Sequence, residues 1–217
     1  QWDDDIHHAM HVLSTGEDQG YYADYADAPL NRLCRCLAEG FSYQGDPSVY
    51  REGSVRGEPS SHLPPDAFVA FLQNHDQIGN RALGERLTTL AAPEVLECFA
   101  AIVCLSPHIP LLFMGEEWGT QKPFPFFCDF KGDLGKAVRE GRRREFAAFP
   151  EFSDPAMWDQ IPDPIALQTF KSGGLDWNEL NRPCHVRRLN LYRRLLAIRR
   201  EQILPLIPKI KTGRAVW

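Results

Sequence analysis

The chain has 217 residues, 43% hydrophobic and 24% charged, with a formal net charge of −5. This length and apolar content suit one large folded domain or two small ones and argue against wholesale disorder. The acidic balance argues against a nucleic-acid partner, whose affinity rests on phosphate neutralisation, and the longest apolar run, about 100–114, is broken by Pro107, His108 and Pro110, so no membrane span of ~20 apolar residues is expected.

Residues 2–14 read as a loop entering a helix. Asp3, Asp4 and Asp5 suit a helix N-terminus, and Gly16 suits its end. A second helix is predicted over 29–39, with Pro29 in its first turn and Gly40 after it. Residues 41–65 are rich in Gly and Pro and read as a long surface loop. The apolar run 67–73 predicts a strand buried on both faces, as in a parallel sheet. Asn74-His75-Asp76-Gln77 follows it at once. Residues 93–106 carry apolar side chains at helical spacing, and 110–114 predict another short buried strand before Gly115-Glu116-Glu117-Trp118-Gly119. Residues 119–175 read as loop-rich, with Arg142-Arg143-Arg144 as a solvated basic run. Residues 190–200 return to an amphipathic helix.

No basic segment followed by an apolar one opens the chain, so no signal peptide is visible. Cys34, Cys36, Cys98, Cys104, Cys128 and Cys184 form no C-x-x-C pair. They read as reduced thiols of a cytoplasmic protein rather than a disulfide framework.

Strands alternating with helices imply parallel pairing through right-handed crossovers, with chemistry on the loops after the strands. The two polar bursts stand where that rule puts a site. Asn74-His75-Asp76 has two open readings: a carboxylate and imidazole that meet a substrate, or caps for the next helix. His7 and His11 share a helix face and invite a metal, but the Glu of an H-E-x-x-H motif is lacking and a zinc site wants three or four ligands. No metal or other cofactor is therefore expected. Glu116 and Glu117 are adjacent and point in different directions, so one facing a cleft and one holding the loop is the natural division.

Several stretches together resemble one family. Phe71-Leu72-Gln73-Asn74-His75-Asp76-Gln77-Ile78-Gly79-Asn80-Arg81 is similar to the Asn-His-Asp region of the α-amylase superfamily, and its extension resembles the malto-oligosyltrehalose trehalohydrolase branch. Gln1 to His8, continuing through Thr15-Gly16-Glu17 to Gly20-Tyr21-Tyr22, resembles the segment after barrel strand six. Pro110 to Gly119 resembles strand eight and its loop. Phe126 to Phe130 and Glu140 to Phe146 resemble this branch's insertion after strand eight. The resemblance implies an α/β fold: a partial (β/α)8 TIM barrel, from about strand 6 to helix 8, with long loop insertions. It implies residues 1–203 as the C-terminal part of a catalytic domain and 204–217 as a linker or the start of a truncated β-domain.

The implied reaction is retaining hydrolysis of the α-1,4 bond beside the terminal trehalose of malto-oligosyltrehalose, releasing trehalose and a maltodextrin. In that mapping Asp76 is the carboxylate that stabilises the oxocarbenium-like transition state. The implied substrate-binding residues are Asp4, Asp5, Ile6, His7, His8, His75, Gln77, Ile78, Gly79 and Asn80. Trp118 has two open readings, sugar stacking or burial against the barrel. The superfamily's nucleophilic Asp and acid Glu follow strands four and five, and no stretch here resembles either region. The chain alone is therefore expected to be inactive and poorly stable. The alternatives are another α-glucan enzyme, such as a branching transferase, or an inactive glucan-binding remnant.

Overall fold

The computed structural model describes residues 1–146 and 154–210. Helix α1 (Asp4–Thr15) starts and stops where the sequence predicts. Asp3 accepts a hydrogen bond from the Ile6 amide at 3.3 Å, and Gly16, at φ 73°, donates back to the Val12 carbonyl. After a 3₁₀ turn (Gly20–Tyr25) comes α2 (Pro29–Glu39), which opens on proline and closes at Gly40. The two helices pack together, and Ile6, Met10, Leu33 and Cys36 join one buried apolar cluster.

The expected surface loop 41–65 is only partly that. It contains an antiparallel hairpin of β1 (Asp46–Pro47) and β2 (Val55–Arg56), and Ser42, Tyr43, Ser48 and Ser60 are buried. Polar anchoring explains the difference: the buried Asp24 carboxylate accepts from the Ser48 hydroxyl at 2.7 Å and the Tyr50 amide at 2.9 Å.

Three parallel segments lie side by side. Strand β3 (Val69–Ala70) is central, bridged to Trp2 on one side and paired on the other with β4 (Ile109–Pro110). Asp3 donates to the Val69 carbonyl at 2.9 Å, Ile109 to Phe68 at 2.9 Å and Leu111 to Ala70 at 2.8 Å. Between β3 and β4 run α3 (His75–Gly79), α4 (Leu87–Leu90) and α5 (Pro93–Leu105). The predicted strand 67–73 is shorter than expected: the ladder covers Val69 and Ala70, and a 3₁₀ turn (Pro65–Ala67) takes the first predicted residue. Phe68, Ala70, Phe71 and Leu72 are nonetheless buried. The second predicted strand, 110–114, needs correction: the ladder covers Ile109 and Pro110, and Ile109 is 46% exposed. Among the described residues no strand lies on its outer side.

The region 119–175 is also corrected. It holds α6 (Gly132–Phe146) and α7 (Leu167–Ser172), and Arg142 is buried rather than solvated. Residues 147–153 lie outside the described ones. Helix α8 (Pro183–Ile198) packs on α5 and continues into a π turn (Arg199–Ile203). Residues 211–217, the second half of the expected linker, also lie outside the described ones. All six cysteines are free, and among the described residues no helix is long and apolar enough to cross a membrane.

Candidate active site

The stretch after β3 folds by a reciprocal cap. Asn74 Oδ1 accepts from the amides of Asp76 at 2.7 Å and Gln77 at 3.4 Å, while Gln77 Oε1 accepts from the Asn74 amide at 3.1 Å. The capping reading of this stretch is thus satisfied by Asn74. Facing its oxygen inward turns the Gln77 amide nitrogen toward α1, where it donates to Asp4 Oδ1 at 2.8 Å. The cap leaves His75 and Asp76 exposed. Asp76 Oδ1 accepts from Asn80 Nδ2 one turn later, at 2.9 Å. The His75 ring stands edge-on to Trp2, with centroids 5.9 Å apart. Burial raises the Asp4 pKa, the Gln77 hydrogen bond lowers it, and the nearby Asp76 charge raises it. Asp4 and Asp76 therefore share one neighbourhood although 72 positions separate them in the chain.

Other predicted site residues lie behind this surface. Ile6 and His7 are buried. His7 Nδ1 donates to the Leu72 carbonyl at 2.5 Å, which leaves Nε2 to accept from the Tyr22 hydroxyl at 3.3 Å. Burial pushes its pKa down to about 3, so the ring is neutral. Asp5 is buried and saturated. It accepts from the Tyr25 hydroxyl, from Arg56 Nη2 at 2.9 Å and from the Ser42 and Tyr43 amides at 2.9 and 3.1 Å. Gln77, Ile78 and Gly79 are buried too. His8 is half-buried among Tyr21, Tyr22 and Tyr25, with ring centroids 5.0–5.4 Å away. Burial holds its pKa well below the usual histidine range, and its Nδ1 has no partner among the described residues.

A cavity of about 380 Å³ adjoins Asn80, walled by Glu17, Tyr21, Tyr22, Arg81 and Phe146 among others. Asp76 stands outside its wall, one hydrogen bond away through Asn80. Arg81 grips Glu17 with two bonds, at 2.7 and 3.0 Å, and Glu17 accepts from His11 Nε2 at 2.7 Å.

Arg56 is a residue that sequence reasoning missed. It lies over the Tyr43 ring at 4.8 Å and donates to Tyr25 at 2.8 Å as well as to Asp5. Its only sequence signal is its place in a glycine-framed hairpin. Gly57, at φ 76°, passes so near the Tyr43 carbonyl that a Cβ would sit 2.0 Å from it.

Neither Glu116 nor Glu117 of the loop after β4 lines this cavity. Glu116 is buried, accepts from Tyr192 at 3.0 Å, and is raised by burial to about 7, so it holds the loop. Trp118 is buried against Trp177, with centroids 5.3 Å apart, which is the burial reading of this residue. For metal, Asp3, Asp5 and Cys36 bring possible ligand atoms within 4.8 Å of one another. The donor chemistry fits poorly. Asp5 is already saturated, partly by a cation, and burial pushes both the Asp3 acid and the Cys36 thiol up toward their neutral forms.

Comparison with known proteins gives the class. No family model matches the chain. A crystal structure assigned as an alpha amylase from Salmonella typhimurium superposes with a TM-score of 0.89 at 49% identity, covering 97% of this chain and 35% of that one. The fold is therefore part of an α-amylase-type barrel. The chain is also 45% identical over 201 residues to the malto-oligosyltrehalose trehalohydrolase of Deinococcus radiodurans, covering 92% of this chain and 33% of that protein. The proteins of the same name from Arthrobacter ramosus and Saccharolobus solfataricus are 43% and 40% identical over 202 residues, covering 93% of this chain and 34% and 32% of theirs. The chain spans about a third of the length of these relatives. It fits a C-terminal fragment of an α-amylase-family protein whose curated relatives are trehalohydrolases.

Proposed function

We propose that this chain is the C-terminal part of the catalytic barrel of a retaining trehalohydrolase, with Trp2, β3 and β4 as strands six, seven and eight. In this reading residues 1–203 belong to that barrel and 204–217 lead out of it. The polypeptide cleaves the α-1,4 bond next to the terminal trehalose of malto-oligosyltrehalose. The carrying observation is the Gln77–Asp4 bond at 2.8 Å, which ties together the polar ends of two adjacent parallel segments. Loops at those ends are where barrel enzymes place their chemistry.

Asp76, exposed and braced by Asn80, is the carboxylate that faces the charge developing on the sugar ring. Asp4, His8, His75 and Asn80 present polar atoms toward the maltodextrin. The buried Asp5, Ile6, His7, Gln77, Ile78 and Gly79 shape that surface from behind, since adding chain to this unit uncovers none of them. The nucleophile and acid come from elsewhere in the polypeptide. No metal or other cofactor enters this scheme. The test is release of free trehalose from malto-oligosyltrehalose by the full-length polypeptide. Branched glucan as product, or no release, overturns the reading.

A further inference from the structure

Arg142 lies on α6, far in sequence from the α3 corner, yet it is only 9% exposed. Its Nη2 donates to the Gly79 carbonyl at 3.0 Å and the Arg81 carbonyl at 3.3 Å. The guanidinium lies over Phe126 at 4.9 Å and Phe146 at 4.6 Å, and Nη1 reaches Glu145 at 3.1 Å. Gly79 is the last residue of α3, where helix carbonyls lack partners within the helix. Asn80, between the two accepting carbonyls, donates to Asp76. On the other side, the Arg81 guanidinium is held by Glu17. Segment 79–81 is thus fastened from α6 and from the loop after α1.

We infer that Arg142 is a positioning residue: it fixes the Gly79–Asn80–Arg81 corner and, through Asn80, the direction of the Asp76 carboxylate. This rests on the catalytic role proposed for Asp76. Charge-assisted bonds of this kind are directional, and a carbonyl left unpaired in a buried corner relaxes toward a new partner. Arg143 on the same helix does nothing comparable; it pairs at 3.3 Å with Asp159, which is 89% exposed.

The test uses the full-length polypeptide with Arg142→Ala, Arg142→Lys and, as control, Arg143→Ala. A displaced reacting group of ~1 Å costs about 100-fold, so Arg142→Ala should lower kcat for trehalose release by about 10- to 100-fold, with KM within about threefold. Added millimolar guanidinium and the Lys variant should each restore part of the rate, and Arg143→Ala should match the wild type. Backbone hydrogen exchange at 79–81 should speed up in Arg142→Ala. Wild-type kcat in Arg142→Ala overturns the inference. So does a lost rate with no guanidinium rescue and a lowered Tm, the signature of a merely structural residue. A wild type that releases no trehalose defeats the functional reading, and exchange then decides Arg142 alone: unchanged protection at 79–81 overturns it.

Discussion

The Gln77 side-chain amide donates to the Asp4 carboxylate at 2.8 Å, while its own oxygen closes the cap on Asn74. One side chain thereby fixes the start of α3 and its separation from α1. The exposed Asp76 inherits its position from that arrangement.

Asp76→Asn in the full-length polypeptide tests the electrostatic role most directly. The substitution keeps the side chain's shape and its ability to accept from Asn80. A dedicated charge-stabilising group is worth about 3–4 kcal/mol, so kcat should fall by 10²–10³-fold or more with the fold retained. Circular dichroism and a thermal melt report the fold. A near-normal kcat removes Asp76 from the catalytic set.

Asn74→Ala removes the cap acceptor for two amides and the reason for the Gln77 orientation. Loss of an N-cap costs about 1 kcal/mol, and the urea midpoint should drop accordingly. Activity should fall as well, because Asp4 loses a fixed partner. An unchanged midpoint contradicts the assigned role of the cap.

Stability should bend with pH on both sides. Burial raises the Glu116 pKa from 4.5 to about 7, so its contribution is full below 4.5 and is lost as pH rises through about 7. Tyr192, Gln73, Arg188 and Glu117 face it, and their hydrogen bonds and charges partly compensate in both directions. Glu17 behaves oppositely. Its bond from His11 lowers its pKa from 4.5 to about 2, so its contribution is present above 4.5 and is lost as pH falls toward 2. Urea midpoints measured against pH should fall between pH 4.5 and about 7, and Glu116→Gln should flatten that fall. A decline that survives this substitution assigns it to another group.

Arg199→Ala should be strongly destabilising. Its guanidinium donates to the carbonyls of Cys104, Ser106 and His108, at 3.2, 2.5 and 2.7 Å, joining the end of α5 to the approach to β4. Buried carbonyls would lose a charged donor, at about 3 kcal/mol. A thermal melt displaced by no more than a surface substitution contradicts this account.

The 217-residue chain expressed alone should self-associate. Ile109 on β4 is 46% exposed and Trp2 at the opposite side is 47% exposed, so both flanks of the sheet are open. Open strand edges are templates for further pairing. Light scattering against concentration reads this, and a stable monomer with a sharp melt refutes it.

Much of the scaffold was legible from local chemistry. The Asp3 cap, the prolines opening α2 and α5 and the glycines closing α1 and α2 act within a few residues, so the sequence suffices to place those helices. Helix α6 was missed because its sequence is polar with scattered glycines and shows no apolar stripe. Its buried side, at Arg142 and Phe146, is defined by what it packs against. The shortness of β4 was missed for a related reason, since an apolar run looks the same whether one face or both find a cover.

The available chemistry is legible before any fold is known: a carboxylate and an imidazole just after a buried strand, and a second acidic stretch at the head of a helix. Which of these groups face outward follows from the packing of distant elements. Asp5 and His7 are polar, yet Arg56, Tyr25, Tyr22 and Leu72 draw them into the interior, while the Asn74 cap turns Asp76 out. The reason is physical: a polar group is buried when distant residues satisfy its hydrogen bonds, and those partners are brought to it by the packing of elements far apart in the chain.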